Sequence, residues 1–231
     1  MAKEVSGEFE EVLGMYFSGR QNAVKLAREA RRTLEGVIEN QSREEAEGKN
    51  PVDHGMTLFI KLKQIPPALD DWMKDFVQYN GIPHSIIDSD SGKVAYERRT
   101  VDGAVVIDQT GHIAQAGVAI PMQKEEYKNK YGITQLYKFL AEPLGTRKLS
   151  ALTTSDITGD SALIMTLHEK DKSGNKEIRM YYNGDLIYSS NGHQLDWEYA
   201  TRKPQEAKVI AMPSRQKAYA SHANEAALAY T

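Results

Sequence analysis

The sequence predicts an α/β fold: a central mixed β-sheet flanked by helices, with an N-terminal helical segment and a C-terminal arm. Three observations carry this reading. Short β-rich apolar runs alternate with stretches of helical periodicity, the pattern that builds a sheet covered by helices. Two hairpin signals, Gln109-Thr110-Gly111 and Asn183-Gly184, sit between apolar runs. The first forty residues carry helical spacing, whereas the segment from Lys203 onward is Ala-rich, polar and weakly patterned.

The elements follow in order. Over 7–38, Phe9, Val12, Leu13, Tyr16 and Phe17, then Val24, Leu26, Leu34, Val37 and Ile38, recur at three- and four-residue intervals. Gly14 and Gly19 interrupt this pattern, so one long helix and two shorter ones are both open. Residues 39–55 are polar and contain Gly and Pro, which predicts a loop. Met56–Lys63 reads as a strand. Pro66 or Pro67 opens a helix presenting Leu69, Trp72, Met73, Phe76 and Val77, since a first helical turn tolerates the missing N–H. Asn80-Gly81 is expected to end that helix. A polar turn at Asp88–Lys93 leads to a strand near Val94–Arg99.

Ala104–Asp108 and His112–Ile120 form the first predicted hairpin, and 122–142 read as a helix stopped by Pro143 and Gly145. Another helix begins at Thr146 and ends before Gly159. Ser161–Glu169 reads as a buried strand, and Ile178–Tyr182 with Asp185–Ser189 as the second hairpin. The expected organisation is one domain over 1–203 and an arm over 204–231.

Bulk properties narrow the function classes. The chain has 231 residues, 40% of them hydrophobic, enough for a buried core. A net charge of −3 argues against nonspecific gripping of duplex DNA, which draws on a basic excess. Cysteine is absent, which removes disulfides, cysteine–zinc sites and thiol nucleophiles. No apolar run approaches the ~20 residues of a membrane span, and the charged start MAKEVSGEFEE is unlike a secretory leader, so a cytoplasmic protein is expected. P-loop, dinucleotide-fingerprint, HExxH and nucleophile-elbow patterns do not occur. The histidines at 54, 84, 112, 168, 193 and 222 show no metal-ligand spacing.

Three pieces carry chemistry together: Asp102-Gly103-Ala104 at a strand start, Gly145-Thr146-Arg147-Lys148 at a helix start, and His168-Glu169 at a strand end. Asp102 and Glu169 offer oxygens to a divalent cation, Mg²⁺ or Mn²⁺. Gly103 allows a ribose or phosphate close to the backbone. Thr146 and the free N–H groups of a helix start suit phosphate oxygens, with Arg147 as a planar fork and Lys148 as a second positive charge. The set suits a nucleoside triphosphate, because phosphoryl transfer depends mainly on positioning and charge neutralisation. Each piece alone is more simply a capped turn or a solvated face.

The order of these motifs resembles the diadenylate cyclase family, also called the DisA N-terminal domain. That family has Asp-Gly-Ala on a strand, then a hairpin strand similar to Gly111-His112-Ile113-Ala114-Gln115-Ala116-Gly117-Val118-Ala119-Ile120-Pro121. Gly145-Thr146-Arg147-Lys148-Leu149-Ser150-Ala151 resembles its Gly-(Thr/Ala)-Arg-His-Arg-Ala-Ala, and Ser155 through Glu169, with Gly174, Ile178 and Asn183-Gly184, resembles its next strand and hairpin. The resemblance covers about residues 95–187. It implies ATP or dATP as substrate, a homo-oligomer, and nucleotide binding by Gly103, Ala104, Thr146, Arg147, Lys148 and His168.

The departures are informative. Lys148 and Leu149 stand where the family has His and Arg, so one fixed positive charge is missing, and His168 replaces a Ser. Closer still is the resemblance to the HalA nucleotidyltransferases of Hailong antiphage systems. Those make linear single-stranded oligodeoxyadenylate from dATP, started on a tyrosine near the C-terminus. The resemblance implies catalytic roles for Asp102 and Glu169, Tyr230 as the acceptor that primes synthesis, and a membrane effector partner responding to the oligonucleotide product. A cyclic di-AMP synthase and a non-catalytic nucleotide sensor are the alternatives.

Overall fold

The computed structural model describes residues 2–51, 55–75, 79–80, 84–97, 103–118, 146–170 and 174–192. Everything below concerns those residues.

Helices α1 (Ala2–Tyr16) and α2 (Gln21–Ala46) open the chain. The periodic stretch is therefore two helices. The break falls at Phe17–Arg20, where Gly19 adopts φ +76°, a left-handed conformation that costs glycine little. Arg20 then clamps the elbow: its guanidinium donates to the Tyr182 hydroxyl at 2.5 Å and to the Asp160 carbonyl at 3.1 Å.

The loop expected at 39–55 begins later than the sequence suggested. Helix α2 runs on to Ala46, because Gln41 is buried against the core and its Nε2 donates to Glu45 Oε1 at 3.1 Å. The Tyr96 hydroxyl donates to Glu44 and Lys170 Nζ to Glu45, so tertiary partners hold the polar last turns. Gly48, at φ +77°, ends the helix, with the N–H groups of Glu47 and Gly48 closing on Arg43 and Glu45 carbonyls.

Strand β1 (Met56–Lys61) and helix α3 (Pro67–Asp75) match expectation, with Leu69 and Met73 buried. Trp72, Phe76 and Val77 side chains lie outside the described residues. Tyr79–Asn80, expected at the end of that helix, is instead a short strand, β2, paired antiparallel with Ala116 and Gln115. The strand expected near Val94–Arg99 is also corrected: Ser91–Glu97 is helix α4. Its Gly92 packs on Gly36 of α2 so tightly that a Cβ on Gly36 would lie 2.8 Å from the Gly92 Cα. The Ser91 and Thr33 hydroxyls meet at 2.9 Å. Val94 and Tyr96 suit a strand by type, but contact with α2 selects the helix.

Strands β3 (Ala104–Ile107) and β4 (Ile113–Val118) form the first hairpin. Helix α5 (Thr146–Thr158) and a 3₁₀ turn lead into β5 (Ala162–Leu167), followed by the hairpin β6 (Ile178–Tyr182) and β7 (Asp185–Ser189). Asn183 and Gly184 both have positive φ, as the tight primed turn requires. The helix expected at 122–142 and the arm over 204–231 lie outside the described residues.

The result is an α/β architecture with a seven-stranded mixed sheet, ordered β2-β4-β3-β1-β5-β6-β7. Among the described residues only β1 and β3 pair in parallel; every other pairing there is antiparallel. One face packs on α1, α2 and α4 through residues such as Phe9, Leu13, Leu26, Leu34, Tyr96, Leu58, Met165 and Met180. The other packs on α3 and α5 through Leu69, Met73, Leu152, Phe59, Val106, Ile164 and Tyr181. Covering both faces explains why β1, β5 and β6 are almost continuously apolar rather than alternating. No helix among the described residues is long and apolar enough to cross a membrane.

Candidate functional site

Three sequence-predicted pieces meet at one end of the sheet. Thr57 of β1 is in register with Ala104 of β3 and with Thr166 of β5. The start of β3, the start of β1 and the end of β5 therefore lie side by side. Gly103 precedes Ala104 at φ +111°, and a Cβ there would lie 2.8 Å from the Gly117 carbonyl carbon and from Val118 O. Glycine is required because the two hairpin strands approach too closely for any side chain. Asp102, the residue before it, lies outside the described residues, as does Tyr230.

Thr146 opens α5, while its side chain lies outside the described residues. Arg147, in the first turn, reaches back over β1. Its Nη1 lies only 2.1 Å from where a Cβ on Gly55 would sit, and 3.6 Å from Glu169 Oε1. The Ser150 hydroxyl donates to the Arg147 carbonyl at 3.0 Å and steadies that turn. The Glu169 side chain, 60% exposed, stands free of the core and offers carboxylate oxygens at the surface. Lys148 is half-buried in the same helical turn.

His168 is buried between these cations. Its backbone N–H donates to the Glu177 carbonyl at 2.9 Å, and its Nε2 meets Thr166 Oγ1 at 2.8 Å. Burial, reinforced by Arg179, Lys148 and Arg147, pushes its pKa down to about 3. The ring is therefore neutral at physiological pH. It can donate or accept one hydrogen bond toward a ligand but supplies no charge.

Sequence reasoning missed four residues of this region. Gly55 provides the bare backbone on which the Arg147 guanidinium rests. Thr166, Glu177 and Arg179 lie buried beside His168, with Arg179 Nε 2.7 Å from Glu177 Oε1. The available signal was the run Glu177-Ile178-Arg179-Met180-Tyr181-Tyr182. Two opposite charges at alternate positions of an otherwise apolar strand share one face and must be paired.

Of the expected metal ligands Asp102 and Glu169, Glu169 is described, an exposed oxygen donor of the kind hard cations take. A separate group, His84, Asp88 and Asp90, brings its ligand atoms within 4.8 Å of one another. It sits by the β3–β4 turn, where Ser85 bridges His112, at the opposite end of the sheet from Glu169. Two surface clefts among the described residues also lie elsewhere. One of about 470 Å³ sits in the α1–α2 elbow beside Leu13, Phe17 and Arg28, and one of about 320 Å³ where α2 meets the turn before α4. Residues 98–102 and 119–145, which flank Gly103 and Arg147 along the chain, lie outside the described residues.

No family model matches the sequence, and no curated protein matches it.

Proposed function

We propose that the chain is a metal-dependent nucleotidyltransferase that makes linear single-stranded oligodeoxyadenylate from dATP, as a signal in antiphage defence. One observation carries the reading: Gly103-Ala104, the first turn of α5 with Arg147 and Lys148, and His168-Glu169 converge on a single sheet end. The motif resemblance to diadenylate cyclases and to HalA nucleotidyltransferases supplies the substrate class.

In this reading Arg147, Lys148 and the N–H groups of the first α5 turn hold the triphosphate. Gly103 and Ala104 give the sugar a close approach to the backbone. An acceptor oxygen bonds to the α-phosphorus, the bridging P–O bond to the β-phosphate breaks, and pyrophosphate leaves. The first acceptor is the Tyr230 phenol oxygen and later acceptors are 3′-hydroxyls. Asp102 and Glu169 would hold Mg²⁺ or Mn²⁺, which neutralises charge building on the phosphates.

The test is incubation of pure protein with labelled dATP or ATP and Mg²⁺ or Mn²⁺, followed by mass spectrometry. A linear adenylate ladder is expected, abolished by Asp102→Ala and reduced about 100-fold by Arg147→Ala, as for loss of one oriented charge on a developing anion. No product from either nucleotide defeats the reading, and saturable binding without turnover replaces it with a nucleotide sensor. A cyclic, exonuclease-resistant dimer replaces it with cyclic di-AMP synthesis. A Tyr230→Phe variant of wild-type activity, with no protein-linked product, removes the priming role alone.

A further inference from the structure

The sheet interior beneath α5 is polar at one end and apolar at the other. Register places Thr57 beside Thr166, Thr166 beside Arg179, and Arg179 beside Ser189. Glu177 and His168, two residues along their strands, share the same face. All six are at most 8% exposed. Farther along that face stand Phe59, Ala162 and Ile164, an ordinary core. A buried ion pair is seldom the most stable filling for such space, so core stability alone does not account for the polar row.

Donor and acceptor capacities give this row a direction. An arginine only donates. Glu177 Oε1 faces Arg179 Nε at 2.7 Å and accepts from the Ser189 hydroxyl at 2.6 Å. The Tyr181 hydroxyl, wholly buried, lies beside both Arg179 and Thr166 and makes no well-aligned hydrogen bond to either. A buried hydroxyl left in that condition calls for a physical reason. Thr166 Oγ1 in turn meets His168 Nε2 at 2.8 Å. If Tyr181 swings slightly, its oxygen can only accept from Arg179, so its proton goes to Thr166 Oγ1. The Thr166 hydroxyl, accepting from Tyr181, then has its own proton to give to Nε2. A neutral imidazole that accepts at Nε2 carries its proton on Nδ1.

We propose that Arg179, Tyr181 and Thr166 form a one-way hydrogen-bond relay that fixes His168 as the Nδ1–H tautomer, presenting an N–H donor to a phosphate oxygen held by Arg147 and Lys148. The relay makes these three positioning residues: they act through His168. The ligand half of the proposal rests on the triphosphate reading above; the tautomer half does not.

The test is a long-range ¹H–¹⁵N correlation spectrum of the full chain labelled at histidine, recorded without ligand at neutral pH. His168 is expected with Nδ1 protonated and Nε2 bare. Thr166→Val should move it toward the Nε2–H form, whereas Thr166→Ser, which keeps the hydroxyl, should leave it unchanged. An Nε2–H ring in the wild type overturns the relay, as does an unaltered tautomer in a Thr166→Val variant whose amide spectrum shows a folded chain. If Thr166→Val does not fold, the wild-type and Thr166→Ser spectra decide.

ATP or inorganic triphosphate with Mg²⁺ is then titrated in, with binding followed by calorimetry. A saturable shift of the Nδ1 resonance is expected. Binding without that shift overturns the ligand half and leaves the relay standing. No binding of either probe counts against the triphosphate reading itself.

Discussion

Asp108 shows how much one side chain organises locally. Its Oδ1 accepts from the Thr110 N–H at 2.8 Å, the Thr110 hydroxyl at 2.6 Å and the His112 N–H at 3.0 Å, closing the β3–β4 turn. Although burial opposes the charge, these donors hold its carboxyl below the usual range. A depressed folded pKa stabilises above the unfolded value, and that contribution is lost as pH falls through the folded one. Asp108→Asn is expected to lower stability by about 1 kcal/mol at pH 7, a figure kept small because the turn is partly exposed. The gap to wild type should narrow as pH falls through and below the ordinary aspartate range, read by urea unfolding; a gap constant with pH contradicts the account. Gly55 makes a sharper point. Its bare backbone carries the Arg147 guanidinium, and an added Cβ would also lie 2.6 Å from the Leu167 carbonyl oxygen. If the site holds a triphosphate, as proposed, Gly55→Ala is expected to weaken ATP binding as Arg147→Ala does, measured by calorimetry. Unchanged affinity would place Arg147 outside the site.

Among the elements, α2 and α4 decide most. They cross at Gly36 and Gly92, whose backbones touch, and this contact turns Val94–Tyr96 into helix. Gly92→Ala puts a Cβ 2.7 Å from the Gly36 Cα and is expected to cost about 1–3 kcal/mol, since packed backbones cannot relax as a flexible side chain can. A denaturation midpoint within error of wild type would show that the helices separate freely. The C-terminal end of α2 departs from the loop its composition predicts for a related reason. Glu39 to Ala46 are polar and solvated by type, yet Gln41 is buried, Glu44 meets Tyr96 and Glu45 meets Lys170. A composition that reads as loop becomes helix once distant partners meet it. The hairpins were legible because their turns need only local chemistry: positive φ at Asn183 and Gly184 suits those residue types.

In the whole molecule, the candidate site belongs to no single element. Strand β1 lies between β3 and β5, so Gly103-Ala104 and His168-Glu169 become neighbours only through a strand that carries neither. Helix α5 then sets Arg147 across the end of β1. If this assembly holds a triphosphate, ATP at a hundred times its Kd should stabilise the folded chain by about 2.7 kcal/mol. A rise in unfolding temperature is expected for wild type and should vanish in Arg147→Ala; a rise that survives the substitution locates the ligand elsewhere.

The sequence by itself left open the break between the first two helices, but it determined the α/β class and both hairpins, and it placed Gly103-Ala104, Arg147 and His168-Glu169 at the ends of their elements. Each depends on periodicity, turn chemistry or residue type, which are local properties. Tertiary structure alone decided that Val94–Tyr96 is helix, that Tyr79–Asn80 is strand, and that a polar row of Thr166, Glu177 and Arg179 lies beneath α5. Those outcomes depend on which backbones touch and which buried charges find partners, and both are fixed only when the sheet order brings distant strands together.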